Sequence, residues 1–209
     1  THVEDVLAKR AYDAKEARRL MSKRIIPVIA DEDCSIKNEL LPDVLVDAVL
    51  AKRNINTKID DAGIVIALGP GFCAGRDCHA VIETQRGHNL GRVIKSGSAA
   101  PNTGIPGIIA GYGAERVLRA PADGLFMPKK SIGDIVKAGD CVAEVSDEPM
   151  LAAISGVLRG LLPEGSSVHK GMKSGDIDPR GIREYCLTVS DKSMAVAGGV
   201  LEAILSLSR

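Results

Sequence analysis

The residues with the most chemical potential lie where an apolar run, residues 64–68, enters Gly69-Pro70-Gly71-Phe72-Cys73-Ala74-Gly75-Arg76-Asp77. A strand ending in a glycine cluster can aim its backbone N–H groups at an anion. Arg76 is placed to add a bidentate charged contact. Gly69-x-Gly71-x-x-Ala74 meets the dinucleotide fingerprint in form. The next segment, 80–84, reads as a strand, so the helix N-terminus that would receive a pyrophosphate is missing. No Gly-Lys-Ser/Thr follows, which excludes a Walker A loop. An anion or substrate site and a structural glycine turn both remain open.

Three further polar clusters, Arg86-Gly87-His88, Asn102-Thr103-Gly104 and Asp178-Pro179-Arg180-Gly181, fall in expected loops. Taken singly, each reads as a solvated turn. Converging on the glycine loop, they would make a pocket for a phosphate-bearing ligand. The candidate anion site is then Gly69, Gly71, Phe72, Gly75, Arg76, Arg86, His88, Asn102, Thr103 and Arg180. Glu83 is a candidate base if it is buried beside them. Cys73, Cys78, His79 and His88 raise the question of zinc. C-x4-C-H is not a common zinc spacing and no C-x2-C accompanies it, so no metal is expected and the thiols read as buried and free. A Cys–His nucleophilic pair would need an orienting partner, and none can be placed.

The elements that would hold these loops come from periodicity. Asp13-Ala14-Lys15-Glu16 resembles a capping box, and Ala17, Leu20 and Met21 follow at helical spacing to about residue 24. Residues 25–30 read as a short buried strand, and 44–50 and 64–68 as further strands, so the first part is the remnant of an α/β unit. Residues 80–84 and 92–95 read as two β segments joined by a turn. Residues 96–114 are rich in Gly, Ser, Pro and Asn. They read as an ordered loop that keeps Ile105, Ile108 and Ile109 from solvent. A helix over about 191–207, capped by Ser190 or Asp191, ends the chain. Gly198-Gly199 within it points to close backbone packing or a ligand.

Residues 123–140 repeat as 155–172 at an offset of 32: Gly124 on Gly156, Gly133 on Gly165, Val136 on Val168, Gly139 on Gly171. Glycines at such positions allow close strand approach and tight turns, and the valine between them points to a core. The spacing resembles the biotinyl/lipoyl, or barrel-sandwich hybrid, modules over 116–180. In carrier members the modified lysine sits on the hairpin between the halves. Here that connection, 145–151, has no lysine, so no covalently bound cofactor is expected and packing or partner docking is the simpler role.

The fold class expected is thus mixed α+β: residues 1–115 an α/β-type region with the glycine-rich loop, 116–180 the barrel-sandwich module, and 181–209 a strand and helix packing on the first region. Hydrophobic residues make up 45% of the 209 and charged residues 26%, the balance of a globular protein. Lys plus Arg equals Asp plus Glu at 27 each, and aromatics are two Phe, three Tyr and no Trp. Neither the charge footprint nor the stacking side chains for nucleic acid are present, and no apolar run spans a membrane. Five cysteines without C-x-x-C, and no signal peptide at the start, point to a cytoplasmic protein. The oligomeric state is not legible.

Several motifs, Ala-Leu-Gly-Pro-Gly-Phe at 67–72, Val-Ile-Glu-Thr-Gln-Arg-Gly-His at 81–88, Leu-Gly-Arg-Val-Ile at 90–94, Pro-Asn-Thr-Gly-Ile-Pro-Gly at 101–107, Arg-Ala-Pro-Ala-Asp-Gly at 119–124 and Gly-Val-Leu-Glu-Ala-Ile-Leu at 199–205, occur in one order. From about residue 25 on, they make the chain resemble the YqeB-type accessory proteins of selenium-dependent molybdenum hydroxylase systems. The resemblance implies a maturation factor whose partners are such a hydroxylase or its maturation proteins. A small anionic ligand, a molybdopterin dinucleotide or other nucleotide, fits that role. An interaction scaffold and a transferase or hydrolase are the alternatives. Longer relatives begin with a strand and a glycine-rich turn. No such segment is legible before the Asp13 helix, so a truncated or shorter form is expected.

Overall fold

The computed structural model describes residues 1–208. The protein is of mixed α+β class, and its chain divides into two compact units, residues 1–103 with 189–209, and residues 104–188.

In the first unit, β1 (His2–Val3) and β2 (Val6–Arg10) form a hairpin, and β2 runs through α1 (Ala14–Met21) into the parallel β3 (Ile26–Val28). The N-cap forms as expected, Asp13 accepting from the Glu16 amide at 2.6 Å, while the Glu16 side chain reaches one residue past the N-cap and accepts from the Tyr12 amide at 3.2 Å. Ala14, Ala17 and Leu20 recur on one face and are buried. Strand β2 supplies the element before α1 that the sequence did not disclose, although Ala11-Tyr12-Asp13 provides no glycine turn. Residues 25–30 are corrected from a buried to a largely exposed strand, with Ile26 at 52% and Val28 at 54% exposure. This short sheet is covered by α1 on one side only, so alternate residues face outward.

After the single helical turn α2 (Lys37–Leu40), a second sheet has the order β4-β5-β6-β7: β4 (Val44–Asp47), β5 (Ile64–Leu68), β6 (Ala80–Ile82) and β7 (Val93–Ile94). The first three are parallel and β7 is antiparallel. Its centre is buried on both faces, which explains the unbroken apolar runs. Ile66, Ala80 and Ile82 pack on α3 (Asp191–Leu207), while Val65, Ala67 and Val81 pack on Phe72, Ala74 and Cys78. The glycine-rich segment thus folds back over the face opposite α3, where a doubly wound fold would put a helix.

The second unit holds two four-stranded antiparallel sheets, β10-β13-β15-β8 and β12-β11-β9-β14. Their strands are β8 (Val117–Arg119), β9 (Gly124–Pro128), β10 (Ile135–Val136), β11 (Cys141–Val145), β12 (Glu148–Leu151), β13 (Gly156–Leu161), β14 (Ser167–Val168) and β15 (Lys173–Asp178). The 32-residue repeat extends to the hydrogen bonding. It carries β9, β10 and β11 onto β13, β14 and β15, and β8 onto β12, so one sheet order maps onto the other. Phe126, Val136, Val142, Val145, Leu158 and Val168 form the core between the sheets. Ser146 and Asp147 turn from β11 to β12 with φ of 50° and 64°, the left-handed pair of a tight hairpin.

Two further expectations are revised. Ile105 and Ile108 are 78% and 74% exposed. Gly104, Pro106 and Gly107 prevent a regular strand there, so the isoleucines project from a loop. The strand expected after residue 180 is a 3-10 turn, Arg183–Cys186. The apolar residues there are separated by charged ones and follow Gly181, so no two-residue alternation develops.

Candidate functional site

Most amides of the glycine loop are bonded within the protein. Gly69, Gly71 and Gly75 have φ of 79°, 107° and 88°, as a tight path over the sheet requires. The Gly69 amide donates to Ile82, that of Ala74 to Gly97, and that of Gly75 to Cys78. The Cys73 amide donates to Asp77 Oδ2 at 2.8 Å. Arg76 donates to both oxygens of that same carboxylate, at 3.0 and 2.9 Å. Asp77 therefore stands where an external anion would stand, and its charge answers Arg76. The Arg76 guanidinium beside it holds the Asp77 carboxyl below the usual carboxylate range. Phe72 is a core residue of the sheet.

The other predicted residues are distributed as follows. Arg86 donates to both oxygens of Asp191 at 2.7 and 3.0 Å, in the first turn of α3. His88, Asn102 and Thr103 are exposed. Arg180 belongs to the second unit, where it donates to both oxygens of the buried Asp178 at 2.9 and 2.6 Å and lies 4.4 Å above the Tyr185 ring. Glu83 is buried, with Oε1 accepting from the Gln85 amide and Oε2 from the Ala100 amide, both at 2.8 Å. It staples two loops. Burial pushes the Cys78 thiol up to about 11, so it is a weak nucleophile. His79 Nδ1 accepts from the Val65 amide at 3.0 Å. Among the described residues no three His, Cys, Asp or Glu side chains gather as a metal site.

A different concavity emerges at the carboxyl ends of the parallel strands. Leu50 and Lys52 follow β4, Leu68 ends β5, and Thr84 follows β6. Lys192, Ser193, Val196, Ala197 and Val200 of α3 close it. The cavity measures about 390 Å³. In open α/β sheets this end of the strands is where ligands bind. Leu50 and Lys52 have φ of 58° and 65°, a left-handed backbone that a non-glycine residue adopts only at a cost. Helix α3 approaches closely enough to shape the cavity because of glycines. A Cβ on Gly199 would fall on the Gly91 carbonyl oxygen, and one on Gly91 would lie 2.9 Å from the Ala195 carbonyl carbon. Of the two explanations for Gly198-Gly199, close packing holds at Gly199.

Lys192 sits in the first turn of α3, which Ser190 caps by accepting from the Ser193 amide. Burial against apolar walls, followed by the nearby charges of Lys52 and Arg86, lowers its pKa, with Glu83 opposing. The sequence contained a signal for it: a lysine in the first helical turn is at the wrong end of the macrodipole.

The fold and cavity define a two-unit α+β protein with a concave site at the ends of parallel strands. No family model matches the chain. Over 98% of its residues it is similar, at 51% identity, to the uncharacterized protein YqeB of Escherichia coli strain K12. The chain spans 38% of that protein's length. Among solved structures, the crystal structure of succinylglutamatedesuccinylase/aspartoacylase from Rhodobacter sphaeroides matches 41% of this chain and 29% of its own at 21% identity. Its TM-score of 0.28 is too low to bear on fold or activity. Among the described residues no helix is long and apolar enough to cross a membrane.

Proposed function

We propose that the chain acts as an accessory or maturation factor for a selenium-dependent molybdenum hydroxylase. Its part is to hold a small anionic, phosphate-bearing ligand, of the molybdopterin or nucleotide kind, in the cavity lined by Lys52 and Lys192. The setting rests on the family resemblance of the motifs at 67–72, 81–88 and 101–107, since the relative YqeB is itself described only as uncharacterized. The observation that carries the binding role is the pair of lysines in one largely apolar cavity of about 390 Å³. That size is within the range of small-molecule sites, and two cations in such walls favour an anion with an apolar body. The glycine loop is not used, because Asp77 already fills it.

Calorimetric titration with pyrophosphate and with a nucleoside diphosphate tests this. Lys52→Ala and Lys192→Ala should each weaken binding by about tenfold, the scale of one charge-assisted contact. Arg76→Ala should leave it unchanged. Absence of binding by every probe, or loss with Arg76→Ala alone, overturns it. The scaffold reading has an observation of its own: Leu125, Met127 and Leu151 are exposed on β9 and β12 of one sheet. If they dock the hydroxylase, Met127→Lys should abolish association with it and leave ligand binding intact.

A further inference from the structure

Lys192 is in a setting that eases loss of its proton relative to an ordinary lysine. Leu50, Leu68, Val196 and Val200 give it apolar walls, and no carboxylate lines the cavity. Among the described residues no carboxylate is within ion-pair distance of it. The two acids nearby are engaged: Asp191 holds the Arg86 guanidinium through both oxygens, and Glu83 takes the Gln85 and Ala100 amides. The cations Lys52 and Arg86 repel a second positive charge. The positive end of the α3 dipole adds to that repulsion. An ordinary surface lysine would turn into water and pair with a carboxylate. This one is held by the first turn of a helix, beside a half-open, largely apolar cavity.

We propose that Lys192 is a carbonyl-capturing amine, which condenses with an aldehyde or ketone of an anionic small molecule that Lys52 holds in the same cavity. The proposal rests on the cavity reading above and adds a bond to it. The amine lone pair attacks the carbonyl carbon, and the C=O π pair moves to oxygen. The nitrogen then loses a proton, and the carbinolamine expels water to leave an imine. Thr84 and Ser193 line the cavity with hydroxyls that can pass the proton from nitrogen to oxygen. No oxidant or reductant enters the balance. A lysine desolvated in an apolar pocket next to a second cation is a recognised way to make such a nucleophile.

The test uses the intact chain with pyridoxal 5′-phosphate, an aldehyde carrying a phosphate, at neutral pH. Borohydride reduction fixes any imine and peptide mass spectrometry locates it. Lys192 should be the dominant modified lysine. Lys52→Met should slow its modification by about tenfold. Pyridoxal, which lacks the phosphate, should also react more slowly. Lys192→Met should abolish the adduct with an unchanged thermal midpoint, which separates loss of the amine from loss of the fold. Modification scattered over exposed lysines, with none favoured at Lys192, overturns the reactive amine even if pyrophosphate binds. Equal rates with pyridoxal and its phosphate overturn the anionic substrate class, even if Lys192 is the residue modified.

Discussion

Two adjacent glycines in α3 provide a controlled perturbation, because they differ in what a methyl group would meet. A Cβ on Gly198 has nothing within 4 Å. One on Gly199 would overlap the Gly91 carbonyl oxygen and lie 2.9 Å from Ile82 Cγ2 and 3.1 Å from the Gly91 carbonyl carbon. Neither glycine has positive φ, so alanine suits the backbone at both. Gly198→Ala should then gain up to about 1 kcal/mol from helix propensity alone. Gly199→Ala gains the same amount and loses more. Its principal obstacle is backbone, which cannot rotate aside as a side chain can, and overpacking of this kind costs about 1–3 kcal/mol. The gap between the two variants is therefore about 1–3 kcal/mol in the same direction. Urea unfolding of each variant, followed by far-ultraviolet circular dichroism, measures it. The same Gly199 variant should distort the cavity, since α3 forms one of its walls, and so weaken pyrophosphate binding. If Gly199→Ala is as stable as Gly198→Ala and binds equally well, the close approach of α3 to residue 91 is refuted, and with it the account of how the cavity is shaped.

Asp178 is fully buried between Arg180 and Arg159. Asp178→Ala should lower the stability of the second unit by about 1–3 kcal/mol, the lower part if its partly exposed arginines rehydrate. Hydrogen bonding from Arg180 lowers its folded pKa. Its contribution is thus complete above the unfolded value near pH 4 and fades as pH falls through the folded value. Denaturant midpoints of wild type and variant should converge in acid; a gap that persists there contradicts the assignment. Glu83→Gln keeps one acceptor for two amides and should cost about 1–3 kcal/mol. Hydrogen exchange at Gln85 and Ala100 should quicken at one or both, and protection at both would disprove the staple.

Much of the fold was legible because its signals are local. Asp13 caps α1 as its spacing from Glu16 requires, and Ser190 caps α3. Gly124, Gly133, Gly139, Gly165 and Gly171 have the positive φ that tight turns demand. Gly156 satisfies the repeat for another reason: a Cβ there would meet the Asp178 backbone and lie 2.8 Å from Ile177 Cγ2. What failed to show in the sequence depends on tertiary choice. Val6–Arg10 has no clear alternation and ends in two cations, so nothing marks it as a strand until β3 pairs with it. Phe72 looked available to a ligand because glycines surround it, but an uncovered sheet face claims it for the core. The glycine loop had the composition of an anion nest, and only the structure shows that Asp77, five residues from Phe72, supplies the anion from within. Leu50 and Lys52 adopt left-handed backbone with no glycine to announce it. The cavity assembles from segments far apart in the chain, and no motif spans it.

The sheets of the second unit have a consequence for how such a unit can arise and be divided. Each sheet takes strands from both repeats: β10 pairs with β13, β14 with β9, and β15 with β8. Neither repeat can satisfy its own backbone edges alone. Cutting the chain between them would give two fragments that fold only on meeting, each lending strands to the other. A half-length ancestor with one copy would have had to dimerise to complete either sheet. Joining the copies in one chain turns that meeting into an intramolecular step, at a high effective concentration that keeps the two halves paired.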